Sequence, residues 1–146
     1  MKLNFLLSTA PLALSAAAAA ASLNTRDDAA LAARAATLCG SGYELDQAIP
    51  LPKGTEPSQR LATLYSYIGD HGCLILDNNV GKAQYMDLKL CEWDGTNCKR
   101  DTGHYSQYAG PVYLDNFACA KVTARMGSSS GSLYVDYKSD TVFPCE

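Results

Sequence analysis

The sequence predicts an all-β domain, a Greek-key sandwich stapled by three disulfides, and three observations carry that expectation. Six cysteines follow an apolar leader. Several short stretches alternate apolar and polar residues with a period of two, and no stretch of residues 35–146 sustains the 3.6-residue period of an amphipathic helix, so helices should be minor.

The first 34 residues are set apart by composition. Lys2 supplies one positive charge, residues 3–14 form an apolar run and residues 16–21 an alanine tract. This is the layout of a secretory signal peptide over residues 1–21, cut near Ala20 or Ala21, with an apolar core too short to anchor in a membrane. Residues 22–34 read as a pro-segment. Both Leu23-Asn24-Thr25-Arg26 and Leu31-Ala32-Ala33-Arg34 have the form L-x-x-R, which resembles the pro-peptide sites cut by Kex2-like proteases in fungal secreted proteins. Cleavage after Arg34 leaves residues 35–146 as one β domain of ordinary size, secreted and extracellular.

Cys39, Cys73, Cys91, Cys98, Cys119 and Cys145 all fall in that domain. An even number of cysteines behind a signal peptide implies disulfides. Zinc is disfavoured, because the chain has no C-x-x-C pair and only two histidines, His71 and His104. Asp94-Gly95 lies between Cys91 and Cys98 and is a tight-turn signal, so a bridge between those two is geometrically easy. The first and last cysteines should tie down the chain ends, with partners the sequence leaves open.

Taken in order, residues 40–58 hold three glycines and three prolines and read as irregular, with a short strand at residues 43–45. Residues 61–68 and 73–77 read as strands, the second short and apolar. Residues 84–93 alternate, with Met86, Leu88 and Leu90 on one face and Tyr85, Asp87, Lys89 and Cys91 on the other. Residues 119–126 direct Ala120, Val122, Ala124 and Met126 inward and Lys121, Thr123 and Arg125 outward. After a flexible loop over residues 127–132, residues 133–138 return to complete a hairpin.

Charge narrows the partners. Without residues 1–34 the chain keeps 9 of its 12 basic and 13 of its 15 acidic residues, a net charge of −4. The two signs are interspersed with no basic stripe, so neither nucleic acid nor an anionic membrane is expected as a partner. No N-x-S/T sequon is present.

Two segments look alike. Leu64-Tyr65-Ser66-Tyr67-Ile68-Gly69 precedes Leu76-Asp77-Asn78, and Tyr105-Ser106-Gln107-Tyr108-Ala109-Gly110 precedes Leu114-Asp115-Asn116. The repeat is about forty residues long, the size of one four-strand unit. Two such units in a secreted chain resemble the βγ-crystallin-like fold, found also in small secreted microbial toxins and proteinase inhibitors. Asp77-Asn78-Asn79-Val80-Gly81-Lys82 is similar to that family's calcium loop but has Gly81 and Lys82 where hydroxyl ligands belong. Asp115-Asn116 departs too, so both pairs read as turn formers, with no metal or cofactor expected. The whole layout resembles the small secreted cysteine-rich proteins of filamentous fungi, many of them effectors or antimicrobial proteins.

Among enzymes, the chain resembles small guanyl-specific ribonucleases in one respect. His71, Glu92, Arg100 and His104 occur in the order of that family's His, Glu, Arg, His set, although the last three crowd into 13 residues. No G-x-S-x-G elbow is present, and oxidised cysteines offer no thiolate. The aromatic residues favour binding instead. Trp93, held in the turn between Cys91 and Cys98, is the preferred contact residue, with Tyr105 and Tyr108 beside the repeat. The expectation is a monomeric, non-enzymatic effector or toxin-like protein that binds an extracellular protein or cell-wall carbohydrate. A proteinase inhibitor, with residues 92–97 or 127–132 as its blocking loop, is the first alternative, and the ribonuclease is the second.

Overall fold

The computed structural model describes residues 29–35 and 38–146. The expected signal peptide, its cleavage near Ala20 or Ala21 and the first L-x-x-R motif lie outside the described residues.

Alternation in the sequence becomes two antiparallel sheets. The described strands are β1 (Glu44–Leu51), β2 (Ala62–Ile68), β3 (Gly72–Asn78), β4 (Gln84–Cys91), β5 (Lys99–Tyr105), β6 (Tyr108–Leu114), β7 (Lys121–Ser129) and β8 (Ser132–Ser139). The first sheet runs β1-β2-β3-β6 and the second β5-β4-β7-β8. Leu64, Leu74, Leu76, Met86, Leu88 and Met126 are fully buried in one cluster between the sheets. Each such side chain contributes about 1.5–3 kcal/mol on leaving water. Met86, Leu88 and Leu90 of β4, and Ala120, Val122, Ala124 and Met126 at and within β7, all face this core as their alternation predicts.

The central strands of the first sheet, β2 and β3, are buried on their outer face as well. Tyr65 and Tyr67 of β2 and Cys73 and Ile75 of β3 form a second buried cluster with Ala35 and Cys39. Ala35 belongs to a helical stretch over residues 29–35, and residues 38 and 39 are helical too. The Tyr67 hydroxyl donates to the Ala32 carbonyl at 2.6 Å, and Arg34 Nη2 donates to Asp77 Oδ1 at 2.7 Å. The Cys39–Cys73 disulfide fastens the end of this stretch to β3. Burial on both faces explains why neither residues 61–68 nor the apolar residues 73–77 show clean alternation. The second L-x-x-R motif therefore ends on a residue in contact with the sheet, and Ala35, the expected mature start, is buried.

All six cysteines are paired, Cys91 with Cys98, Cys119 with Cys145 and Cys39 with Cys73. The turn signal favours the first of these pairs, and the first and last cysteines do tie down the ends.

Several expectations need correction. Residues 40–58 are largely ordered as β1 and a short 3-10 turn (Pro57–Gln59), since Pro50 is tolerated on an edge strand whose one neighbour is β2. β5, an edge strand with the polar sequence Lys-Arg-Asp-Thr-Gly-His-Tyr, gives no apolar signal because its side chains are exposed or only partly buried. The loop expected over residues 127–132 is shorter, because β7 runs to Ser129 and β8 starts at Ser132. The two repeat segments occupy unlike places. Residues 64–68 lie within β2, whereas residues 105–110 cross the turn from β5 to β6.

That turn is anchored at Gly110. Its φ of +100° suits glycine, and a Cβ there would stand 2.7 Å from the Leu74 carbonyl oxygen. Its N–H donates to Asp101 Oδ2 at 2.8 Å, which ties β6 to β5 across the open side of the sandwich.

Candidate functional site

The loop between β4 and β5 is braced by its own hydrogen bonds and a disulfide. The Glu92 N–H donates to the Thr96 carbonyl at 3.0 Å, and the Gly95 N–H donates to the Glu92 carbonyl at 2.8 Å. Asp94 Oδ1 accepts from the Thr96 N–H at 3.0 Å and from its hydroxyl at 2.7 Å, the self-bonding that makes Asp a turn former. Those bonds, with the nearby charge of Lys121, hold the Asp94 carboxyl below its ordinary range. Asn97 Nδ2 donates to Glu92 Oε1 at 2.9 Å, and the Cys91–Cys98 disulfide closes the base. Trp93 stands on this frame with 61% of its surface exposed, more than any other large apolar side chain described.

The other aromatic candidates are committed elsewhere. Tyr105 is half-buried and donates its hydroxyl to Asp101 Oδ1, a bond that raises its pKa together with burial and the Asp101 charge. Tyr108 is half-buried against the cluster under the helical stretch. Trp93, Tyr105 and Tyr108 thus do not form one exposed surface.

His71, Glu92, Arg100 and His104 do not converge either. His71 Nδ1 lies 2.7 Å from Asp115 Oδ1, just before β3. Glu92 is bonded within its loop, and Arg100 grips Asp87 through Nε at 2.7 Å and Nη2 at 2.8 Å. His104 meets Tyr85 edge to face, with ring centroids 5.9 Å apart. Gly72, next to His71, pairs with Leu114 at one end of β6, while His104 lies near the turn that starts β6 at Tyr108. Seven residues of strand, roughly 20 Å, separate the two histidines.

The outer face of the second sheet was not found by reading along the chain. Asp87 is nearly enclosed there. Burial works to raise its carboxyl, but hydrogen bonds from Arg100 and Thr102, with the charges of Arg100 and Arg125, outweigh burial and hold the group below its ordinary range. Arg125 Nε reaches Asp136 Oδ1 at 3.0 Å on β8. Lys89, Lys121 and Lys138 project from the same face, around a cavity. Alternation already directs Lys89 and Lys121 outward, and the missing information is that β4 and β7 are neighbours.

No protein-family model, no curated protein and no solved structure matches this chain. The arrangement of side chains has to carry the functional argument.

Proposed function

We propose that the protein is exported and acts outside the cell without catalysis, as an effector or toxin-like ligand that engages its target through the loop carrying Trp93. The observation behind this reading is an indole held out to solvent on a loop that binding need not order. The entropy of fixing a contact loop is then spent in folding rather than in association, and exposed Trp residues are frequent energetic anchors. Export is supported by three disulfides in a small domain with no free cysteine described. Among the described residues no helix is long and apolar enough to cross a membrane.

Trp93 is the only tryptophan of the chain, so its emission is a specific probe. Titration with extracellular proteins of a host or competitor and with cell-wall polysaccharides should find a ligand that shifts the emission to the blue. Trp93→Ala should weaken that binding by about 2 kcal/mol or more while the thermal midpoint stays unchanged. Full affinity in the variant would remove the loop from the contact.

The same loop supports a second reading, a proteinase inhibitor, because a rigid projecting segment is what stoichiometric blockade of a cleft requires. Titration against serine, cysteine and aspartic proteinases separates the two readings. For a ribonuclease, the spread of His71 and His104 offers no acid and base pair on one phosphodiester. The Greek-key, crystallin-like reading of the sandwich is supported by two returns of the chain, β6 to lie beside β3 and β7 to lie beside β4.

A further inference from the structure

The second sheet presents its outward side chains in rows across four strands. In one row the charges pair among themselves. Asp87 holds Arg100 and accepts from Thr102 at 2.9 Å, and Arg125 holds Asp136.

The next row is not compensated. Pairing register sets Arg100, Lys89, Thr123 and Lys138 side by side across β5, β4, β7 and β8, with Lys121 opposite Cys91 one step further on. Arg100 turns away to Asp87. Among the described residues no carboxylate forms an ion pair with Lys89, Lys121 or Lys138. The three lysines, with Thr123 and Ser139, line a cavity of about 190 Å³ in which Asp140 is the only carboxylate among the described residues. Lys89 and Lys121 are half-buried. Like charges gathered across strands are destabilising, and this cluster forms in a chain whose acidic residues outnumber its basic ones.

Gly95, from the loop that carries Trp93, completes the rim of the cavity. Asp94 of that loop is already engaged by Thr96, and Lys121 is close enough to act on its charge. An ammonium is a compact point charge whose three donors accept oxygens from many directions, unlike the planar fork of arginine. Ammonium groups next to the loop that carries the exposed Trp93 suit a ligand that offers anionic oxygens on a ring with an apolar face.

We infer that the Lys89, Lys121 and Lys138 cavity binds an acidic saccharide, taking its sulfate or uronate oxygens while Trp93 on the adjoining loop meets a sugar face. This names the ligand class for the proposed binding loop and rests on that reading. A nucleic acid would need a basic track longer than one cavity.

The test is calorimetric titration of the whole secreted protein with three oligosaccharides of equal length, an oligogalacturonate, a heparin-type sulfated chain and neutral chitin oligomers. Both anionic ligands should bind, with affinity falling as salt rises from about 0.1 to 1 M, where the screening length drops from about 10 to about 3 Å. The sulfated and uronate arms tell which oxyanion is preferred. The double substitution Lys89→Gln with Lys138→Gln should weaken anionic binding about tenfold or more. Its melting temperature should be equal or higher, because exposed charge repulsion is relieved. Equal binding of the neutral oligomer, undiminished binding by the double variant, or no binding of either anionic chain would each overturn the inference. All three leave the Trp93 contact standing, since that is read separately from Trp93→Ala against the protein's target.

Discussion

The two sheets meet their surroundings in opposite ways. On β3, the outward residues Cys73, Ile75 and Asp77 are sealed beneath the helical stretch, and Ile75 is as buried as the sandwich core. On β4, at the matching place in the second sheet, the outward residues Asp87 and Lys89 belong to a polar lattice of charges. The difference shows in one residue type. Asp77 and Asp87 are both almost fully enclosed and both face an arginine, yet their carboxyls shift in opposite directions. Around Asp87 the bidentate Arg100, Thr102 and the charge of Arg125 outweigh burial. Around Asp77 burial is the larger effect, and Arg34 and Asn79 offset only part of it. Each has three partner residues, so the balance of burial against the strength of those partners, not their number, decides whether an enclosed carboxylate suits its site.

The strongest way to break the contrast is to truncate the matching outward residues. Ile75→Ala should cost about 2–5 kcal/mol, as for a core position, whereas Lys89→Ala should stay within about 0.5 kcal/mol. Denaturant unfolding of both checks it, and similar losses would mean that the first sheet is not sealed.

Next in size is the contact made by Arg34. Arg34→Ala should destabilise by about 1–3 kcal/mol, because Asp77 is left enclosed with fewer partners. Adding Asp77→Asn should restore part of that loss. Protein cut after Arg34 can be put through the same comparison, which makes the pro-segment expectation measurable in stability.

Acid titration sharpens the comparison between the two aspartates. The folded-state pKa of Asp87 is lowered, so its contribution is complete above the unfolded value of about 3.9 and is lost as pH falls through the folded value. For Asp77 the folded value is raised, so stability is favoured in acid and declines as pH climbs from about 3.9 through that raised value. Asp87→Asn should therefore flatten the loss on the acid side, and Asp77→Asn should flatten the decline at higher pH. Equilibrium unfolding between pH 2 and 7, within about 1 kcal/mol, is sensitive enough to see both.

The smallest effect is on Tyr67. Burial, with the nearby Tyr65 and Asp77, pushes its phenol up to about 12. Its stabilising share is full below the ordinary tyrosine value of about 10 and disappears as pH rises through the folded value. An absorbance titration should show a late phenol that Tyr67→Phe removes, at a cost of about 1 kcal/mol for the bond to Ala32. A titration in which every tyrosine ionises at the ordinary value would show that the helical stretch does not cover this face.

Legibility in the sequence followed solvent exposure. β4, β7 and β8 could be read because one face is dry and the other wet, so composition alternates with the pleat. β2 and β3 were read as strands, β3 from a short apolar run, and neither shows what covers its outer face. β1 was read only as a short strand at residues 43–45, its prolines masking the rest, and β5 was missed because its run Lys-Arg-Asp-Thr carries no apolar residue. Trp93 and the bridge beneath it were readable because a seven-residue spacing is local. The resemblance between residues 64–69 and 105–110 was readable too, yet one segment lies in a strand and the other crosses a turn, since a short string of tyrosines does not encode its neighbours.

By itself the sequence determined the local features: the all-β class, the inward and outward faces of β4 and β7, and the bridge that closes the Trp93 loop. Each depends on residues within a few positions of one another, where periodicity and turn chemistry act directly. Only the tertiary structure decided that the helical stretch seals the first sheet, that Asp77 and Asp87 differ, and that Lys89, Lys121 and Lys138 share a cavity. Those features depend on which strands become neighbours, and strand pairing joins residues tens of positions apart through hydrogen bonds that every backbone offers alike.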